Sequence, residues 1–200
     1  MAKLIFNFGV MSCGKSLDLL RTAHEYRSSN LEVLCLKPDV DDRDGKEECK
    51  IVSRVGLSGK AFWISTPSSI LKRVFENHSE DKKLDIVLVD EAQFLQREHI
   101  RVLRDIVDVL GIHVICYGLR TDFKRELFSG SSALFALADV CQEIPAICKC
   151  GKKAKFVVRA DSNGEKIVNG PQVSVGYSNY YSVCSKHYNR FDEYYKEYES

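Results

Sequence analysis

The sequence lacks an excess of charge, a long apolar run and any internal repeat. Its 29 Lys and Arg against 28 Asp and Glu leave a formal net charge of +1. That balance removes the basic footprint expected of a DNA-, RNA- or anionic-membrane-binding protein. No apolar stretch approaches the ~20 residues that cross a bilayer, so no membrane partner is expected. No charged and apolar leader precedes the first motif, so a secretory signal is not expected and the cytoplasm is the expected compartment. There the eight cysteines read as thiols or metal ligands rather than disulfides. What is present is 200 residues with a 44% apolar fraction, enough for one large domain, or one domain with a small appendage.

Residues Gly9-Val10-Met11-Ser12-Cys13-Gly14-Lys15-Ser16 fit the phosphate-loop pattern of glycine, four variable residues, glycine, lysine, then serine or threonine. The context agrees. Lys3 to Phe8 reads as a strand, and a helix follows with Leu17, Leu20 and His24 on one face. Strand, tight loop and helix surround a polyphosphate with backbone N–H groups and the positive end of a helix dipole. Lys15 would reach the terminal phosphates of a nucleotide, and the Ser16 hydroxyl would coordinate magnesium.

A second signal is Val87-Leu88-Val89-Asp90-Glu91. An acidic residue at the end of a buried strand beside a phosphate loop can hold magnesium, and Glu91 could take a proton from an attacking hydroxyl or water. The pair alone does not separate a kinase from an ATPase.

Strand-like runs at 31–36, 61–64, 86–89 and 113–117 alternate with helix-period segments. One helix is capped by Thr66 with Pro67 in its first turn, and Ile70, Leu71, Val74 and Phe75 are its expected buried stripe. Ile100, Leu103, Val107 and Leu110 mark another. The alternation predicts a mostly parallel α/β sheet covered on both faces. The pattern changes after Cys141. Runs at 155–159 and 165–168 flank Asn163-Gly164, a hairpin signal, and 172–175 would add a strand. Residues 1–141 are therefore read as a nucleotide-binding α/β domain and 142–200 as a small β subdomain. Phe191, Tyr194, Tyr195 and Tyr198 form a packing stripe against the body or a neighbouring subunit. The polar stretch from Pro38 to Glu48 reads as a loop.

Cys148-Lys149-Cys150 and Cys184-Ser185-Lys186-His187 bracket the hairpin. Two pairs of such ligands suit tetrahedral zinc, closed and structural. The spacing alone also allows buried cysteines and a surface histidine. Cys35 and Cys116 read as core thiols.

Four motifs, residues 9–16, Asp90-Glu91-Ala92-Gln93-Phe94, Tyr117-Gly118-Leu119-Arg120-Thr121-Asp122-Phe123 and the late Cys/His cluster, together resemble the thymidine kinases of the small, cytosolic type, bacterial members above all. The resemblance covers essentially the whole chain. It implies a RecA-like P-loop domain plus a zinc-bearing subdomain with a long lasso loop. It implies transfer of the ATP γ-phosphate to the 5′-hydroxyl of thymidine or deoxyuridine, giving dTMP for salvage. It also implies a homotetramer inhibited by TTP. By position, Glu91 matches the catalytic base, and Lys15 and Ser16 the phosphate and magnesium contacts. Asp90 and Gln93 join the ATP-binding set. Asp41 and Arg43 match an Asp-x-Arg at the donor phosphates; read without the family they are a solvated loop. Met11, Leu119 and Phe123 match the thymine pocket, which Phe94 helps to shape. Tyr180 matches a lasso tyrosine, and Gln172, Val173, Ser174, Val175 and Gly176 would bind thymine through their backbone. Cys13, Val157 and the segment Val175-Gly176-Tyr177 depart from the family's usual pattern. Two other classes stay open on residues alone: a RecA-like ATPase or DNA motor with a zinc ribbon, and a zinc-ribbon interaction module.

Overall fold

A computed structural model describes residues 1–39, 48–80, 83–172 and 179–195. In chain order its elements are β1 (Leu4–Gly9), α1 (Lys15–Ser28), β2 (Val33–Pro38), β3 (Lys50–Val52), β4 (Ser58–Lys60), β5 (Phe62–Ile64), α2 (Pro67–Asn77) and β6 (Ile86–Val89). A single 3-10 turn (Ala92–Phe94) follows, then α3 (Arg97–Leu110), β7 (His113–Leu119), α4 (Ser129–Leu137), β8 (Val140–Glu143), β9 (Phe156–Ala160), β10 (Asn179–Val183), α5 (Ser185–Asn189) and α6 (Phe191–Tyr194).

Six strands pair in the order β5-β2-β6-β7-β1-β8, every pairing parallel. The central strand β6 is wholly buried, and its side chains alternate between two cores. Val87 and Val89 join Ile70 and Val74 of α2, Ile100 and Leu103 of α3 and Leu134 of α4. Ile86 and Leu88 join Leu19 and Ala23 of α1. The expected α/β sheet covered on both faces is therefore present. No helix among the described residues is long and apolar enough to cross a membrane.

Two helical faces differ from the sequence reading. In α1 the buried residues are Lys15, Leu19, Thr22 and Ala23, while Leu17 is 36% exposed and His24 is exposed. Because Lys15 starts the helix facing the strand ends, its i+4, i+7 and i+8 positions follow it inward. In α2, Thr66 accepts from the Ser69 amide and Pro67 occupies the first turn. Ile70 and Val74 are buried and Leu71 packs at the core edge, but Phe75 is 57% exposed. An eleven-residue helix presents a narrower apolar stripe to this sheet than its sequence offers.

The smaller unit is built on β9 and β10, which pair antiparallel over a core of Val157, Val158, Val183, Tyr188 and Phe191. The expected hairpin forms as a short one: Ala160 bridges Lys166, and the Ile167 amide donates to the Arg159 carbonyl at 2.8 Å, while β10 pairs along the other edge of β9. The Asn163-Gly164 turn survives, with Gly164 at φ +84° and no room for a Cβ against the Tyr195 ring. Strand β8 carries the main sheet to Glu143, just past Cys141. Phe191 is buried, Tyr195 packs on Tyr181 and Phe191, and Tyr194 stacks on His187. Gln172 lies in a bend, whereas 173–176 and Tyr198 fall outside the described residues.

Candidate active site

The loop from β1 to α1 is shaped by close approach. A Cβ at Gly9 would sit 2.4 Å from the Cys13 sulfur and 2.9 Å from the Ile144 carbonyl. Gly14 takes φ +90°, which costs glycine little, and leads into the first turn of α1. Lys15 is 8% exposed and its ammonium donates to the Val10 carbonyl at 2.8 Å. Ser16 Oγ donates to Asp90 Oδ2 at 3.0 Å, joining the start of α1 to the end of β6.

Asp90 is 3% exposed. Burial first, and then the neighbouring Glu91 charge, push its carboxyl up to about 7, while the Ser16 hydroxyl and Lys37 pull it down. Its Oδ1 is buried without a hydrogen-bond partner, so an oxygen-seeking hard cation such as magnesium suits this corner. Glu91 holds a left-handed backbone, φ +50° and ψ +36°, unusual for a residue with a side chain. Its Oε2 accepts from Gln93 Nε2 at 2.5 Å. Gln93 is 1% exposed, and its Oε1 accepts from the Leu119 amide at 2.9 Å. Its side chain thus bridges Glu91 and Leu119.

The other pocket candidates are spread over the surrounding elements. Met11 is half-buried, and its carbonyl accepts from Ser182 of β10 at 2.6 Å. Leu119 is half-buried, and its carbonyl accepts from Ser131 at 2.5 Å. Phe94 meets Phe128 edge to face. Phe123 is 2% exposed, lying under the Arg159 guanidinium. Tyr180, like Met11 and Cys13, packs against the small core. Asp41, Arg43, Val173, Ser174, Val175 and Gly176 lie outside the described residues. Sequence reading missed Ser131, Ser182 and the inward role of Gln93, because each partner is distant in the chain and no local pattern marks it.

Cys148, Cys150, Cys184 and His187 converge, their ligand atoms all within 4.8 Å of one another. The Cys148 sulfur is 3.3 Å from His187 Nδ1, and Cys150 is 3.6 Å from Cys148 and 3.7 Å from Cys184. Zinc–sulfur bonds of about 2.3 Å and zinc–nitrogen bonds of about 2.0–2.1 Å set tetrahedral edges of roughly 3.5–3.8 Å, so the set could hold zinc with little movement. A turn closed by Gly151, φ +77°, presents the first pair. The start of α5 presents the second.

A glycine-cornered turn at the head of a parallel sheet, with Asp90 and Glu91 at the next-but-one strand end, suits an α/β enzyme that acts on phosphate groups. The family model "Thymidine kinase" matches residues 2–188, and the chain belongs to the thymidine kinase family. It is 44% identical over 189 residues to "Thymidine kinase" of Haemophilus influenzae, covering 94% of this chain and 96% of that one. It is 43% identical to the protein of that name from Shewanella oneidensis, covering 96% and 98%. It is 42% identical to that of Enterobacteria phage T4, covering 94% and 96%. A solved Pif1 helicase from Candida albicans overlaps 74% of this chain and 37% of its own at 13% identity and a TM-score of 0.40, too remote for any argument.

Proposed function

We propose that this chain transfers the γ-phosphoryl group of ATP to the 5′-hydroxyl of thymidine, and of deoxyuridine, giving dTMP for pyrimidine salvage. The observation that carries the reading is the Ser16 to Asp90 hydrogen bond, which sets the phosphate loop beside Glu91. In this reading the backbone of residues 9–16 and the Lys15 ammonium bind the donor phosphates. Ser16 and Asp90 would hold magnesium, which when bound offsets phosphate charge. Glu91 accepts the proton of the 5′-hydroxyl as that oxygen attacks. Asp41 and Arg43 would serve the donor side. Met11, Phe94, Leu119 and Phe123 would wall the base. Tyr180 and the backbone of 172–176 would close over it, matching N–H and C=O groups to the imide edge of thymine. Zinc at the Cys/His cluster would pin both ends of that lasso. The same reading makes 1–141 and 142–200 the two functional units, with a homotetramer in the cytoplasm and TTP as its feedback inhibitor.

A screen of nucleosides with purified protein and magnesium-ATP tests this. Thymidine and deoxyuridine should be phosphorylated. Deoxycytidine should be rejected strongly, since it presents a donor where thymine accepts and would leave buried groups mispaired. ATP hydrolysis stimulated by single-stranded DNA, without nucleoside phosphorylation, would favour a motor instead.

A further inference from the structure

We propose that Gln93 is a positioning residue for phosphoryl transfer, its carboxamide fixing the Glu91 carboxylate relative to the nucleoside wall at Leu119. The proposal rests on the reading of Glu91 as the base. Gln93 Nε2 donates to Glu91 Oε2 at 2.5 Å, and Oε1 accepts from the Leu119 amide at 2.9 Å. The two ends of the carboxamide are not interchangeable here. Reversed, the NH2 would face an N–H and the oxygen a carboxylate.

The surroundings are shaped to hold this one side chain. A Cβ at Gly118 would lie 2.8 Å from Gln93 Oε1 and 3.1 Å from its backbone nitrogen. A Cβ at Gly130 would lie 2.3 Å from the Ala92 carbonyl and 3.0 Å from that of Gln93. Glycines on β7 and α4 thus let both elements press on the 3-10 turn. Ser131, wholly buried, donates to the Leu119 carbonyl, so the backbone of Leu119 is held at its amide by Gln93 and at its carbonyl by Ser131. A glutamate has several free torsions, and a reacting group displaced by about 1 Å can lose on the order of a hundredfold in rate. The clamp removes that freedom and gives base and nucleoside wall a common anchor. It also explains the requirement for glycine between Tyr117 and Leu119.

The test is a double-mutant cycle in steady-state kinetics on the full chain. Gln93→Met keeps length and removes both hydrogen bonds. Gln93→Glu keeps the acceptor for Leu119 and sets a second carboxyl against Glu91. The two cannot both ionise and instead share one proton, so the base is lost in part. Each should lower kcat by roughly 10–100-fold with the KM for magnesium-ATP within about twofold. Gln93→Glu should also keep the thymidine KM near its starting value, and it serves as the probe if Gln93→Met fails to fold. In a Glu91→Gln background, either change should cost less than about twofold in kcat. A loss of the same factor in both backgrounds, or an unchanged kcat, would overturn the clamp. Near-normal turnover in Glu91→Gln alone would overturn the base assignment, and the clamp with it. A slow Glu91→Gln enzyme with additive Gln93 losses would overturn the clamp alone.

Discussion

The Tyr188 hydroxyl donates to the Phe123 carbonyl at 2.7 Å, tying the small unit to the loop after β7. Arg125 lies 4.4 Å and Lys166 3.6 Å from the centroid of the same ring. Tyr188 directly follows His187, so the Cys/His cluster and the buried Phe123 are neighbours through one side chain.

Tyr188→Phe keeps the ring and its cations and deletes that hydrogen bond. The loss should be about 1–2 kcal/mol of stability, typical for a buried bond. The thymidine KM should rise severalfold with kcat little changed, and zinc content should stay the same. Denaturant unfolding and steady-state kinetics check this; an unchanged stability and KM would show that Phe123 is held by other means.

For Asp90 the sign of the pH effect can be worked out. Burial raises its folded value to about 7, above the ~3.9 of an unfolded aspartate. The folded chain then binds more protons than the unfolded one between those values, so stability falls as pH rises through the interval. In protein free of metal and nucleotide, Asp90→Asn should unfold later than the parent at pH 8, and that gain should shrink steadily as pH falls toward ~4. Melting curves whose difference does not vary with pH would contradict this.

Lys15→Ala removes the bond to Val10 and the positive charge proposed for the donor phosphates. It should abolish kinase activity while the sheet stays folded by circular dichroism. A variant with most of its activity would make the loop match accidental.

One zinc per chain should be found by elemental analysis. Chelation should raise hydrogen exchange first in β9, β10 and α5, because the smaller unit has little core of its own, while the six-stranded sheet stays protected. Unchanged protection at 148–188 after full metal removal would refute a structural ion there.

Much of this was legible because it is local. The four-residue apolar run of β6, the Thr66 cap with Pro67, and the 9–16 loop each carry their signal within a few residues. Pairings between distant segments were not. Strand β9 carries the 165–167 hairpin return on one edge and 179–183 on the other, and nothing in the Asn163-Gly164 signal marks that second partner. The α1 face was misjudged because Leu17 and His24 looked periodic, whereas the fixed direction of Lys15 and Ser16 sets the rotation. Site chemistry divided the same way. Asp90 and Glu91 stood out beside a strand, but the bond from Gln93 to Leu119 spans 26 positions and left no mark.

Phosphoryl transfer to thymidine with Glu91 as base is checked most directly by simultaneous measurement of dTMP and ADP formed from thymidine and magnesium-ATP, by the parent chain and by Glu91→Gln. The parent chain should form dTMP and ADP in equal amounts, and kcat should fall by roughly two to four orders of magnitude in the variant. ADP formed without dTMP, or near-normal turnover by Glu91→Gln, would contradict it.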